Sequence, residues 1–167
     1  MVQTKEAAGY SAVSTVLWRE REALQHVQFK LVQQQLILQS GQTRMLDSAT
    51  EELESALDQL RCTEVLRAIE SEVIAADLEV DELPTLAELA AEAPEPWATV
   101  LTEHRSALRA LTDEVDTTTR TNRELLTAGA STVRESLQQL TGSLDTYDHR
   151  GGAEATGRAP VLMDQQA

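Results

Sequence analysis

Side chains that commonly bind metals or act as nucleophiles are few in this sequence, and they lie far apart. His26, His104, His149 and Cys62 each fall in a different segment of the chain. Metal sites need several such ligands at short spacing. The Glu-x-x-His pairs of helical di-iron proteins do not occur, because the nearest preceding glutamates stand four residues before His26 and one before His104. The sequence therefore predicts no metal and no cofactor.

Other patterns that could support catalysis are equally weak. Glu51, Glu52 and Glu54 form a run of carboxylates, but on a helix they point in different directions around a solvated face. Cys62 follows Arg61, but no histidine is close in sequence to act as its base. The chain contains no glycine-rich phosphate loop and no Gly-x-Ser-x-Gly motif. We predict that the protein is not an enzyme.

Charge excludes several classes of partner. The chain has 167 residues with 28 acidic and 14 basic side chains, a formal net charge of −14, and residues 42–92 alone carry −11. Such a segment repels phosphate backbones and anionic membrane surfaces, so we expect no nucleic-acid partner. No apolar run approaches the ~20 residues of a membrane span. A single cysteine and no evident signal peptide favour the cytoplasm.

The amino-acid composition and the positions of the glycines predict helices. Leucine and alanine dominate the apolar residues, only five residues are aromatic, and no glycine lies between Gly41 and Gly129. Apolar periodicity predicts long helices over 11–40, 47–79 and 95–141 and a short one over 85–92. Gly41 is expected to end the first helix, and the spacing of Ser48 and Glu51 suggests a capping box at the start of the second.

The predicted fold is all-α, an elongated antiparallel coiled-coil bundle of three long helices plus one short connecting helix. Residues 1–10 are expected to be a flexible N-terminus, 11–141 the helical domain and 142–167 a flexible tail. The predicted core consists of apolar residues at helical spacing: Leu17, Leu24, Leu31, Leu38, Leu53, Leu57, Leu60, Leu101, Leu108, Leu111 and Val115.

The third long helix carries a coiled-coil seam with spacings of four and three from Trp97 to Leu140. Four positions in that seam lack a large apolar side chain. Three of them are polar, His104, Thr118 and Asn122, and the fourth is Gly129. Polar seam residues commonly fix the register between helices, and the alternative is contact with a partner chain. Gly129 is expected to be a hinge or a point of close contact.

Helix lengths predict an exposed apolar surface near the end of this helix. Short connections make neighbouring helices antiparallel, so the third helix should extend about 14 residues, or ~20 Å, beyond its partners. An apolar stripe without intramolecular cover would bind another helix. The alternatives are a kink at Gly129 that folds the segment back, or fraying. The residues expected on this surface are Leu126, Gly129, Val133, Leu137, Leu140 and Leu144.

The order of segments resembles the FlgN family of flagellar type III export chaperones, in the form found in high-GC Gram-positive bacteria. The resemblance spans roughly residues 13–150. It rests on LWREREAL at 17–24, FKLVQQQL at 29–36, the turn at 41–50, LPTLAEL at 83–89, EPW at 95–97, EHR at 103–105, NRELL at 122–126 and TYDHRG at 146–151.

The resemblance implies a cytoplasmic, non-catalytic chaperone. Such a protein would hold the hook–filament junction proteins FlgK and FlgL by their C-terminal helical segments and deliver them to the export gate. It also implies that Tyr147 contacts the gate protein FlhA. The first alternative is a coiled-coil scaffold that forms a homodimer and has no export client. The second is a helical protein that is itself secreted, although the Trp-x-Gly hairpin of such proteins is missing at Trp97.

Overall fold

The computed structural model describes the backbone of residues 2–77 and 84–144 and the side chains of 7–76 and 84–139. In these ranges the chain forms helices and no strand. They are α1 (Val2–Ser40), α2 (Leu46–Asp77), the short α3 (Leu86–Glu92) and α4 (Trp97–Leu144), with a 3-10 turn at Thr43–Met45 between the first two. The chain divides into two units, Met1–Leu126 and Thr127–Ala167. The all-α prediction is confirmed.

Helices α1 and α2 pack against each other as an antiparallel hairpin. Gly41 ends α1 with a positive φ of 70°, a conformation that glycine adopts without steric cost. Lys30 on α1 forms an ion pair with Glu52 on α2 at 2.8 Å. Nearer the start of α1, Glu20 pairs with Arg67 at 2.8 Å. From one ion pair to the other the residue number on α1 falls while that on α2 rises, so the two helices run in opposite directions.

Helix α4 runs parallel to α1 within the first unit. The Ser14 hydroxyl lies 3.2 Å from Nε2 of His104, and Gln28 donates a hydrogen bond to Thr118 at 3.1 Å. Asn122 donates to the Leu31 carbonyl at 2.9 Å. The paired residues stay 90 or 91 positions apart along the chain. Consecutive long helices therefore alternate in direction, as the predicted antiparallel bundle requires.

The core of the first unit consists of two apolar clusters. One joins all four helices, and the other lies between α1 and α2 with a contact from α4. The buried members of the first are Tyr10, Val13, Leu17, Ile74, Leu89, Ala93 and Leu101. The second consists of Val27, Leu31 and Ala56, with Leu53, Leu57, Leu60 and Val115 packed against them.

Most of the predicted core lies in or against these clusters. Leu108 packs on the first one, and Leu24 is buried outside both. Leu38 and Leu111 are only half-buried. Alternating spacings of three and four identified the correct faces of the helices. They did not indicate how far along each face the partner helices extend.

The N-terminal boundary predicted for α1 is wrong. The helix begins at Val2 rather than near residue 11, and Tyr10 is buried in the first cluster, so residues 2–10 belong to the helix instead of preceding it. Gly9 brings α1 close to α2 here, since a Cβ added to it would lie 3.3 Å from Cγ1 of Ile74. The N-terminal part of α1 packs against the end of α2. Its apolar residues are too few to show a helical repeat in the sequence, so the start of the helix could not be recognised there.

Capping also differs from the expectation at α2. The 3-10 turn leads directly into Leu46, so Ser48 lies inside the first turn of α2 rather than at its N-cap. The capping box that the structure forms belongs to α3. The Thr85 hydroxyl accepts from the Glu88 amide while the Glu88 carboxylate accepts from the Thr85 amide. The hydrogen bonds that the Thr85 amide and hydroxyl donate to the Glu88 carboxylate lower the pKa of that carboxyl.

Helix α4 is longer than the other helices, with 48 residues against 32 in α2. It starts at Trp97 and ends at Leu144, within three residues of the predicted bounds. The expected end of α2 near residue 79 lies outside the described residues, and so do residues 145–167 of the tail expected over 142–167.

Candidate functional site

The one buried histidine of the described core is a packing residue of the α1–α4 contact. His104 is 1% exposed. The ring of Trp18 meets it edge to face with 5.1 Å between centroids, and the Arg21 guanidinium lies 4.4 Å above that tryptophan. Burial lowers the pKa of His104, Arg21 lowers it further, and Glu103 opposes them. A neutral imidazole bonded only to Ser14, with Nδ1 lacking a hydrogen-bond partner, has no catalytic arrangement around it.

Three of the four irregular seam positions bind α1 of the same chain. Besides His104 and Thr118, Asn122 is buried and donates both to the Leu31 carbonyl and to Oε1 of Gln34 at 3.2 Å. The register-fixing interpretation of these residues therefore holds within the chain. Gly129 differs, because a Cβ built on it would meet nothing within 4 Å.

A partly buried ion pair joins α2 to α1. Arg67 reaches across to Glu20 on α1, with Nε 2.8 Å from the carboxylate. Removal from water raises the pKa of Glu20, and Arg67 offsets only part of that effect. The pair therefore aligns α1 with α2 rather than forming a reactive carboxylate site.

The predicted partner surface on α4 is exposed wherever its side chains are described. Every described side chain from 126 to 139 is exposed. Val133 is 60% exposed and Leu137 57%, and with Gly129 they repeat every four residues along one side of the helix. We call these three residues the α4 stripe. Leu126, the last residue of the first unit, is also exposed.

Other predicted site residues cannot be placed. Leu140 and Leu144 belong to α4, but their side chains lie outside the described residues. Tyr147 lies outside the described backbone as well.

The sequence model of the FlgN family, described as "FlgN protein", matches residues 1–155. The chain belongs to the FlgN family. No curated protein and no solved structure gives a significant match. The family match includes α1, α2, α3 and α4 in full and extends into the segment that contains Tyr147.

Membership of the FlgN family makes this chain a flagellar export chaperone, and the family is non-catalytic. Among the described residues, no group of three or more His, Cys, Asp and Glu side chains is placed to hold a metal ion. None of the helices in the described ranges combines the length and the apolar character that crossing a membrane requires.

Sequence reasoning missed two exposed apolar faces of this FlgN-family chain. One lies on α1 and consists of Trp18, Phe29, Val32 and Leu36. The other lies on the second half of α2 and consists of Val65, Leu66, Ile69 and Val73, with the exposed Cys62 beside them. A signal was available for both, because each helix contains more apolar residues than one core-facing stripe can hold.

Proposed function

We propose that this chain is a cytoplasmic export chaperone for the hook–filament junction proteins FlgK and FlgL, which it delivers to the gate protein FlhA. The observation that carries this proposal is the α4 stripe, in a chain that belongs to the FlgN family. Gly129, Val133 and Leu137 place apolar surface in solvent on a regular helix. A chaperone needs such a surface to cover the apolar, aggregation-prone segment of a client.

The expected ligand is an amphipathic helix from the C-terminal segment of FlgK or FlgL. An apolar helix face is complemented by another helix that presents its own apolar residues every three or four positions. Each valine or leucine side chain that becomes covered contributes about 1.5–3 kcal/mol to binding. Leu140 and Leu144 continue the spacing of the α4 stripe in sequence and are proposed to enlarge this surface.

Gly129 fits the same role. A Cβ added to Gly129 would have no atom within 4 Å. No helix of the described part of the chain therefore packs closely against this glycine. A glycine on a helix surface lets another backbone approach closely. We propose that the client helix makes this approach, and that Tyr147 contacts FlhA.

Co-purification from the organism's own cells tests the function. A tagged copy of the full chain should retain FlgK, FlgL or both, identified by mass spectrometry, and a Val133→Asp/Leu137→Asp copy should retain much less. Recovery of only a second copy of the chain would favour the homodimeric scaffold and overturn the chaperone proposal.

A further inference from the structure

Helix α2 has apolar residues on two opposite sides of its second half. Toward α1 it buries Ile74 and Ala75. Away from the core, Val65, Ile69 and Val73 remain between 49% and 60% exposed. Apolar side chains that recur on one side of a helix normally face a partner, and α2 has such side chains on two sides. Because the described part of the chain covers only one side, the other has the character of an interface.

The exposed side is a continuous surface. Cys62, Val65, Leu66, Ile69 and Val73 recur at helical spacing, and we call them the outer α2 face. At 1.5 Å per residue the face is about 17 Å long, close to three turns of a partner helix. A cluster of this kind on a protein surface marks an interaction site more often than an isolated exposed leucine does.

The charges around this face are acidic. Helix α2 contains nine acidic residues and two arginines, and both arginines already form ion pairs within the chain. Arg61 lies 2.6 Å from Asp58, and Arg67 is engaged with Glu20. Helical spacing places Glu70 and Glu72 on the two flanks of the face, whereas Glu64 lies on the side of α2 toward Glu20 of α1. A partner that covers the face must therefore come close to several carboxylates.

Charge decides between the two kinds of helix that could bind here. A second copy would bring an equally acidic α2, and like charges across an interface oppose association. We propose that the outer α2 face binds an amphipathic helix of another protein, with apolar residues every three or four positions and lysine or arginine on both flanks. This site is separate in sequence from the α4 stripe proposed for the export client.

A pair of synthetic helical peptides tests the proposal on the full chain. Both have leucines spaced by three and four; one has lysine at every flanking position and its twin has glutamate. We expect the basic peptide to bind at least about tenfold more tightly than the acidic one, because charge complementarity discriminates partners. Equal affinities would overturn the proposal.

Neutral substitutions separate a true site from general attraction between opposite charges. Ile69→Ser/Val73→Ser removes apolar surface without altering the charge, so the affinity for the basic peptide should fall at least about tenfold. Phe29→Ser/Leu36→Ser on α1, which also removes exposed apolar side chains without altering the charge, is the matched control and should leave that affinity unchanged. Circular dichroism verifies that both variants fold. If Ile69→Ser/Val73→Ser binds as wild type does, the peptide is held by charge alone and the outer α2 face is not its site.

Sedimentation of the chain without peptide tests the second-copy alternative. We expect a monomer at micromolar concentration, with no dependence on Ile69 or Val73. A dimer that Ile69→Ser/Val73→Ser dissociates would mean that a second copy covers the face. That result would overturn this proposal and leave binding of FlgK at the α4 stripe to be decided by its own experiment.

Discussion

His104, Thr118 and Asn122 set the register of α4 on α1. An apolar seam alone would tolerate a slip of one heptad, since leucines and valines recur at that interval. The hydrogen bond between Ser14 and His104 and the one that Gln28 donates to Thr118 form only in one alignment. After a slip these buried polar groups would lose their partners, at a cost of about 1–3 kcal/mol each.

The buried His104 should make stability depend on pH. Its pKa is lowered from 6.5 in the folded protein by burial and by Arg21. Below pH 6.5 the unfolded chain therefore binds a proton that the folded chain does not. The contribution of the neutral His104 to the free energy of unfolding is fully present above this pH and decreases as the pH falls through it. Urea denaturation at pH 8.0 and 5.5 measures this loss.

His104→Gln is the control for that measurement, because glutamine retains a hydrogen-bonding group near Ser14 and does not titrate. We expect the loss of stability between the two pH values to be smaller in the variant. The same pH dependence in both proteins would show that His104 is not its source.

Leu101 tests the core at the level of a single residue. It is fully buried, in the cluster that joins all four helices. Leu101→Ala should lower the free energy of unfolding by about 2–5 kcal/mol, because it leaves a cavity. Leu126→Ala on the same helix is the matched control, and its exposed position limits the expected change to about 0.5 kcal/mol. Equal effects in urea denaturation would contradict the assigned packing of α4.

At the scale of elements, Gly129 weakens the second half of α4. Glycine inside a helix costs about 1 kcal/mol relative to alanine, and here a Cβ would meet open space. We expect Gly129→Ala to slow amide hydrogen exchange around residue 129 roughly fivefold, which corresponds to that free energy. Unchanged or faster exchange would show that this glycine is not the weak point of the helix.

Element types and most boundaries could be predicted because α1, α2 and α4 each carry a long apolar repeat. The start of α1 was missed, since Tyr10 joins the core through contacts with residues far away in sequence. The Ser48–Glu51 spacing imitated a capping box, while the one that forms uses Thr85 and Glu88. Local motifs identify a helix end only when the chain actually enters the helix there.

The candidate site could be predicted only in part. Helix lengths pointed to exposed apolar residues on α4, and Val133 and Leu137 are exposed. The roles of Leu140, Leu144 and Tyr147 stay predictions. The outer α2 face was missed because a single amphipathic stripe was sought in each helix, whereas α2 also contains Val65 and Ile69 on its solvent side.

At the scale of the whole molecule, charge and apolar surface are distributed unevenly. Residues 42–92 carry a net charge of −11, whereas residues 127–139, which contain the α4 stripe, carry one arginine and one glutamate. We therefore expect client binding to be apolar and nearly insensitive to moderate salt, because salt screens mainly exposed charge pairs. Titrations in 50 and 300 mM NaCl measure this. A strong loss of affinity at the higher salt would place the client on the acidic segment instead.

The most direct measurement is the affinity of the FlgK C-terminal segment for the full chain and for Val133→Asp/Leu137→Asp, by isothermal titration. Losing two covered apolar side chains should weaken binding about a hundredfold or more. Leu66→Asp/Val73→Asp, which adds the same charges on α2, should bind as wild type does. Equal affinities for all three proteins, each folded by circular dichroism, would contradict binding of the client at the α4 stripe.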